Sequence, residues 1–212
     1  MTVKLQLALD VLSLQDALTL ARGAGPYVDW LEAGTVLIKS EGMRAVRELR
    51  GLFPDKPLVA DMKVMDGGAR EAELAFGAGA DIITVSACAG DATLQAALRV
   101  ATDMGKQVMV DLLGVADPLA RAQQVEAMGA HYLCVHRSTD AARALDAPDE
   151  VAELARAVSV PIAAAGSIRL DSWVEAARAG AAVIIVGSAI IKATDPAAAA
   201  RAFQEALSAG VR

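Results

Sequence analysis

Asp61, Lys63 and Asp66 stand close together in one short stretch, 57–68, which reads Pro-Leu-Val-Ala-Asp-Met-Lys-Val-Met-Asp-Gly-Gly. The apolar run from Pro57 to Ala60 predicts a buried strand, and alternation along it puts Asp61 and Lys63 on one side, aimed at one point. Gly67-Gly68 let the backbone turn closely before a helix. A salt-bridged strand end would account for any single Asp-x-Lys. Two carboxylates and an ammonium crowded together, however, cost desolvation and repulsion unless a ligand or a reaction uses them.

Other groups of the same kind close other apolar runs: Asp10, Glu32, Asp111 and His136. Glu32 and Asp61 offer hard oxygen ligands, and with no Cys or His cluster nearby the natural metal is Mg²⁺, which keeps several waters and takes substrate oxygens. Lys63 is a compact cation able to hold a developing oxyanion. It could instead be the nucleophile of a Schiff-base aldolase if its pKa were depressed, but flanking by Asp61 and Asp66 should raise it. His136 is the only strand-end side chain of a type whose unperturbed pKa lies near neutrality, which makes it the leading proton-transfer candidate, whereas His131 precedes its run and reads as structural. Taken singly, Asp10 could cap a helix and His136 could be a satisfied core histidine. Taken together, they point to one site.

The elements that must position these groups recur along the whole chain as short apolar runs, each followed by a longer amphipathic segment. Strands are expected at Leu5–Asp10, Val28–Ala33, the Pro57 stretch, Ile82–Ser86, Gln107–Leu112, Tyr132–His136, Pro161–Ala165 and Ala182–Val186. The helices between them run from a Ser13 cap to about Gly23, then Gly42–Leu52, Ala69–Gly77, a segment that Asp91 caps and Gly105 closes, Pro118–Met128, Pro148–Val158, Asp171–Ala179 and Pro196–Ser208. Gly79-Ala80, Gly129-Ala130 and Gly180-Ala181 each read as a helix C-terminus leading into a strand. Alternating strands and helices imply a parallel sheet with right-handed crossovers. Eight units with nothing left over imply an α/β fold, a (β/α)8 TIM barrel, as a single domain spanning 1–212. A doubly wound open sheet is the alternative, but no Gly-x-Gly-x-x-Gly follows the first strand.

In such a barrel the strand C-termini carry the site, so the polar groups above converge on one mouth. Gly166-Ser167 and Gly187-Ser188 follow strands seven and eight. They are either ordinary tight turns or the place where backbone N–H groups approach a phosphate, with Arg169 as a supplementary contact. Metal-assisted proton abstraction or enolate formation on a sugar phosphate is the chemistry this set suggests.

Composition agrees. The 212 residues are 55% hydrophobic but only 3% aromatic, as expected of a parallel sheet clad in Ala-rich helices. A net charge of −6 argues against nucleic acid as a partner. Cys88 and Cys134 form no metal-ligand spacing and fit a reduced, cytoplasmic protein. The N-terminus lacks signal-peptide organisation, and no apolar run is long enough to span a membrane.

The stretch Ala60-Asp61-Met62-Lys63-Val64-Met65-Asp66-Gly67-Gly68 resembles the Asp-x-Lys-x-x-Asp signature of the orotidine 5′-phosphate decarboxylase superfamily. Glu32-Ala33-Gly34-Thr35, Val110-Asp111-Leu112-Leu113-Gly114, Val135-His136 and Val186-Gly187-Ser188-Ala189-Ile190 are similar to its Mg²⁺-dependent branch of 3-hexulose-6-phosphate synthases and 3-keto-L-gulonate-6-phosphate decarboxylases. The likeness covers essentially the whole chain. It implies an enediolate intermediate, with Glu32 and Asp61 serving the metal, Lys63 the enediolate oxygen and His136 proton transfer. It also implies an obligate homodimer in which Asp66 reaches into the partner's site. Asp111, Thr139, Ala165 and Ser188 stand where the decarboxylases carry Glu, Arg, Thr and Arg. These four resemble the synthases and imply condensation of D-ribulose 5-phosphate with formaldehyde. His136-Arg137-Ser138 resembles the decarboxylase form of its loop and points toward 3-keto-L-gulonate 6-phosphate instead. A barrel that only binds a sugar phosphate is the reading from outside enzymology, and the acid, base and metal set argues against it.

Overall fold

The computed structural model describes residues 2–138, 147–166 and 173–210. Eight parallel strands close on themselves in chain order: β1 Lys4–Leu9, β2 Trp30–Ala33, β3 Leu58–Val64, β4 Ile82–Ser86, β5 Gln107–Asp111, β6 Tyr132–His136, β7 Ile162–Ala165 and β8 Ala181–Val186. Pairing of β1 with β8, Gln6 opposite Ile185, completes the expected barrel. Around it lie α1 Leu14–Ala24, α2 Thr35–Glu41, α3 Met43–Leu52, α4 Gly68–Gly77, α5 Asp91–Asp103, α6 Pro118–Ala127, α7 Ala147–Ala157, α8 Trp173–Arg178, α9 Ser188–Ile191 and α10 Pro196–Gly210, with a 3₁₀ turn at Gly25–Tyr27. Among the described residues no helix is long and apolar enough to cross a membrane.

Period-two alternation sorts the strand residues into two cores. Outward-facing Leu5, Leu7, Leu9, Ala60, Val85 and Val110 pack under the helices. Inward-facing Trp30, Val59, Ile82, Met109, Ala163 and Val183 plug the lower barrel, where Trp30 meets Tyr132 edge-on at 5.3 Å. Below the plug, Asp81 accepts from Lys106 Nζ at 2.7 Å, from the Leu58 N–H at 3.0 Å and from Arg50, locking the loops at the strand N-termini. The two faces therefore divide the work: this one holds the barrel shut, and the opposite one is left for chemistry.

Three local expectations change. Residues 35–41, Thr-Val-Leu-Ile-Lys-Ser-Glu, form α2, although their β-branched start disguises a helix. Gly34 begins it because a Cβ there would overlap the Asp10 carboxylate. Strand β2 starts at Trp30 rather than Val28, since the Val28 N–H closes the 3₁₀ turn onto Gly25 O at 3.3 Å. Asp91 does not cap α5. Gly90 holds the N-cap position, and the Asp91 carboxylate turns to Arg121 at 2.7 Å. Ser13 does cap α1, accepting from the Asp16 N–H at 3.4 Å. Gly79, Gly129 and Gly180 all have positive φ, as their helix-to-strand turns require.

The Gly67-Gly68 turn places α4 directly against α5: a Cβ on buried Gly68 would lie 2.1 Å from the Thr93 carbonyl oxygen. Gly68→Ala should therefore cost about 1–3 kcal/mol, read as a melting temperature lowered by roughly 2–4 °C per kcal/mol. An unchanged melt would show that α4 can shift at no cost.

Candidate active site

The strand C-termini surround an open cavity of about 580 Å³ whose wall includes Asp10, Glu32, Asp61, Lys63, Asp111 and His136. Six residues singled out in the sequence thus meet at one mouth. Lys63 Nζ lies 2.9 and 2.8 Å from the two oxygens of Asp61, as a shared strand face predicts. The backbone gets there by another route. Between Ala60 and Val64 the register of β3 against β4 shifts, and Lys63 has φ 45°, the one non-glycine residue with positive φ among those described. Such a conformation costs of order 1–3 kcal/mol and persists only where its surroundings fix it. Here Thr84 Oγ1 on β4 accepts the Lys63 N–H at 2.9 Å and donates to Asp61 Oδ1 at 2.6 Å. Thr35 Oγ1, from the first residue of α2, donates to the other Asp61 oxygen at 2.5 Å.

From Lys63 the network crosses to β5 and β6. Nζ donates to Asp111 Oδ2 at 2.9 Å, and His136 Nδ1 meets the same oxygen at 2.9 Å. Asp111 is 2% exposed, and burial alone would raise its pKa. The hydrogen bond and charge of His136, the Lys63 ammonium and the Leu113 N–H outweigh burial and bring it to about 2. Burial pulls Lys63 down, but Asp61 and Asp111 raise it well above the ordinary lysine range. The partner expected from sequence, Asp66, is not among the causes. An amine held protonated in this way is a poor Schiff-base nucleophile, which argues against the Schiff-base mechanism. Ionised Asp111 only accepts, so it engages His136 through Nδ1–H and leaves Nε2 as the nitrogen able to exchange a proton.

Glu32 is 5% exposed, and burial, then Asp61 and Asp10, push its pKa well up. Asp10 at the rim is raised by the protein crowded around it and by Asp61. Three carboxylates thus repel one another while the nearest ammonium is engaged by Asp61 and Asp111. That uncompensated set of hard oxygen donors fits a divalent cation. A second grouping, Asp111, Cys134 and His136, has ligand atoms within 4.8 Å of one another. Sequence spacing did not reveal it, since it joins two strands. It suits a metal poorly: burial pushes the Cys134 thiol well up, and Asp111 already serves Lys63 and His136.

Gly166, Gly187 and Ser188 line the same cavity, together with Lys192 just past α9. Ser167, Arg169 and Thr139 lie outside the described residues. Asp66 is exposed, accepts only from the Gly67 N–H at 2.7 Å, and does not line the cavity of its own chain. Arg137 turns away from the cavity to Glu150 at 2.6 Å. His131 sits at the foot of β6 and accepts the Val108 N–H at 3.2 Å, a structural role as expected. Thr35, Thr84, Gln6 and Lys192 were missed. A lone polar residue inside an apolar run, as Gln6 and Thr84 are, was the signal available for the buried ones.

The profile of the orotidine 5′-phosphate decarboxylase / HUMPS family matches residues 3–203. The 3-hexulose-6-phosphate synthase of Mycobacterium gastri is 41% identical over 97% of this chain and 100% of its own, and that of Bacillus subtilis 36% identical over 98% and 100%. Among solved structures, a 3-hexulose-6-phosphate synthase superposes with a TM-score of 0.92 at 41% identity, covering 96% of this chain and 99% of its own. KGPDC from Streptococcus mutans superposes at 0.93 with 31% identity, covering 99% of each chain.

Thr84 ties strained Lys63 to Asp61, so Thr84→Val should leave the Lys63 N–H unpaired at about 1–3 kcal/mol. Misplacing the ammonium should also cut turnover by on the order of a hundredfold. Thr84→Ser, which keeps the hydroxyl, should recover most of both losses. A valine variant with wild-type rate would show that Lys63 holds its position unaided.

Proposed function

This chain belongs to the orotidine 5′-phosphate decarboxylase / HUMPS family, and we propose that its site joins D-ribulose 5-phosphate to formaldehyde, reversibly, giving a 3-hexulose 6-phosphate. It is a carbon–carbon lyase of the aldehyde-lyase type, as the full-length likeness to the 3-hexulose-6-phosphate synthases supports.

The observation that carries the mechanism is the unbroken chain Asp61–Lys63–Asp111–His136, with every contact at 2.8–2.9 Å. His136 Nε2 removes a proton from C1 of the bound ketose, and Asp111 steadies the imidazolium that results. The Lys63 ammonium donates to the oxygen on which enediolate charge develops. C1 then attacks the formaldehyde carbon, the enediolate reverts to a ketone, and His136 returns its proton to the new alkoxide. Proton and electrons balance without a redox partner. Glu32 and Asp61, with Asp10 at the rim, are the residues that would hold Mg²⁺, whose charge, when bound, acidifies the C1 proton and offsets the crowded carboxylates. Gly166 and Gly187-Ser188 would receive the phosphate on their backbone N–H groups, a reading supported by their place on the cavity wall beside Lys192.

Arg137 supports condensation over decarboxylation: the residue that gave its loop a decarboxylase cast spends its charge on Glu150, outside the cavity. Two unpaired cysteines, Cys88 and Cys134, support placing the protein in the cytoplasm. We also assign Asp66 to the cavity of a second copy in a homodimer. It stands exposed outside its own site, beside exposed Met65, and exposed Leu74 follows on α4.

The deciding assay follows formaldehyde consumption with ribulose 5-phosphate in one arm and CO₂ release from 3-keto-L-gulonate 6-phosphate in the other, each with Mg²⁺ and with a chelator. Fast formaldehyde consumption that the chelator abolishes is the expected result; dominant CO₂ release would overturn the proposal. Sharing of sites is read by mixing inactive variants. Asp66→Ala and Lys63→Ala, each folded and without turnover alone, should regain activity when their subunits exchange, and a mixture that stays inactive would return Asp66 to a structural role.

A further inference from the structure

Gln6 lies inside the barrel with no exposed surface, one step below the mouth, where its neighbours are the apolar plug. It pairs in register with Trp30, which places its amide diagonally beneath Glu32. Gln6 Nε2 donates to Glu32 Oε2. Its own Oε1 is buried with no hydrogen-bond partner among the described residues. A carboxylate that serves a cation only accepts, and so takes the –NH₂ end of the amide. An unpaired buried carbonyl costs about 1–3 kcal/mol, and an apolar side chain of similar volume would incur no such cost. Gln6 does not line the cavity, so it reaches the chemistry only through Glu32. Glu32 itself does line the cavity. The amide therefore ties one oxygen of a cavity-lining carboxylate from below.

We infer that Gln6 is a positioning residue that orients the Glu32 carboxylate for a divalent cation. The inference rests on the proposal that Glu32 serves the metal. Partners of this kind behind a ligand typically set metal affinity by roughly 10- to 100-fold.

The test is calorimetric titration of Mg²⁺ alone into purified protein, without substrate, for wild type and for Gln6→Met, which keeps the volume and removes the donor. The expected result is Mg²⁺ binding weakened roughly 10- to 100-fold in a variant that still melts cooperatively. Turnover should then be restored toward the wild-type rate by excess Mg²⁺, a recovery that a merely structural defect would not show. Should Gln6→Met fail to fold, Gln6→Asn, whose amide stops one methylene short of the carboxylate, carries the same expectation. Equal affinity in wild type and a folded variant overturns the inference and leaves the metal reading intact. A wild type that binds no Mg²⁺ overturns the metal reading, and the inference with it.

Discussion

One ammonium shared by two buried carboxylates organises the mouth of this barrel. Asp61 and Asp111 are 7% and 2% exposed and come from strands separated by β4. Carboxylates at that depth carry a large desolvation cost unless a counter-charge meets them. Lys63 supplies the counter-charge to both, and this explains why the chain accepts a left-handed backbone there. An ordinary strand conformation would carry the side chain along the β3 pleat; the register shift lets it span toward β5. Thr84, on the strand between, is the brace that makes the strained arrangement the stable one. Its single hydroxyl serves the Lys63 backbone and the Asp61 carboxylate at once.

The remaining electrostatics follow from that arrangement. Once Lys63 belongs to Asp61 and Asp111, Glu32 and Asp10 are left with pKa values that rise through burial and then through the nearby charge of Asp61. Asp111, by contrast, is held ionised and can orient His136. The same cation thus produces two environments a few ångströms apart, one that wants a further cation and one that fixes a base. Separating carboxylates in this way lets a single mouth offer hard oxygen donors and an oriented imidazole side by side.

How much of this was legible in the sequence depends on which residues were close along the chain. The strands were readable because eight apolar runs of similar length recur, and chain order alone then closes the barrel. Asp61 and Lys63 were readable as a pair because they are two positions apart, although the reason given, simple alternation, was not the one the backbone uses. The contact of Lys63 with Asp111 was not readable. It depends on strand tilt and on a bulge, and neither leaves a mark at positions 48 residues apart. Thr35 escaped notice because its segment looks like strand yet folds as α2 across the mouth. Gln6 and Thr84 look like tolerated polar residues until their depth is known.

Cation placement also decides between the two reactions that this kind of site supports. A decarboxylase must stabilise and then expel a carboxylate, and cations facing the lost group serve that end. Around this cavity the described cations are Lys63, already shared, and Lys192, on the wall by α9. Arg137, the residue whose loop resembles the decarboxylases, is bound at 2.6 Å to Glu150 on α7, and its backbone packs so tightly that a Cβ on Gly166 would strike the Arg137 carbonyl. Swinging the guanidinium inward would break that ion pair and strip Glu150 of its partner, a cost with no compensating contact in view. Ala165 and Ser188 add only small, uncharged side chains to the cavity lining. Among the described residues, the cations on the cavity wall are thus an ammonium already shared by two carboxylates and one lysine beside α9, which offers little to a departing carboxylate.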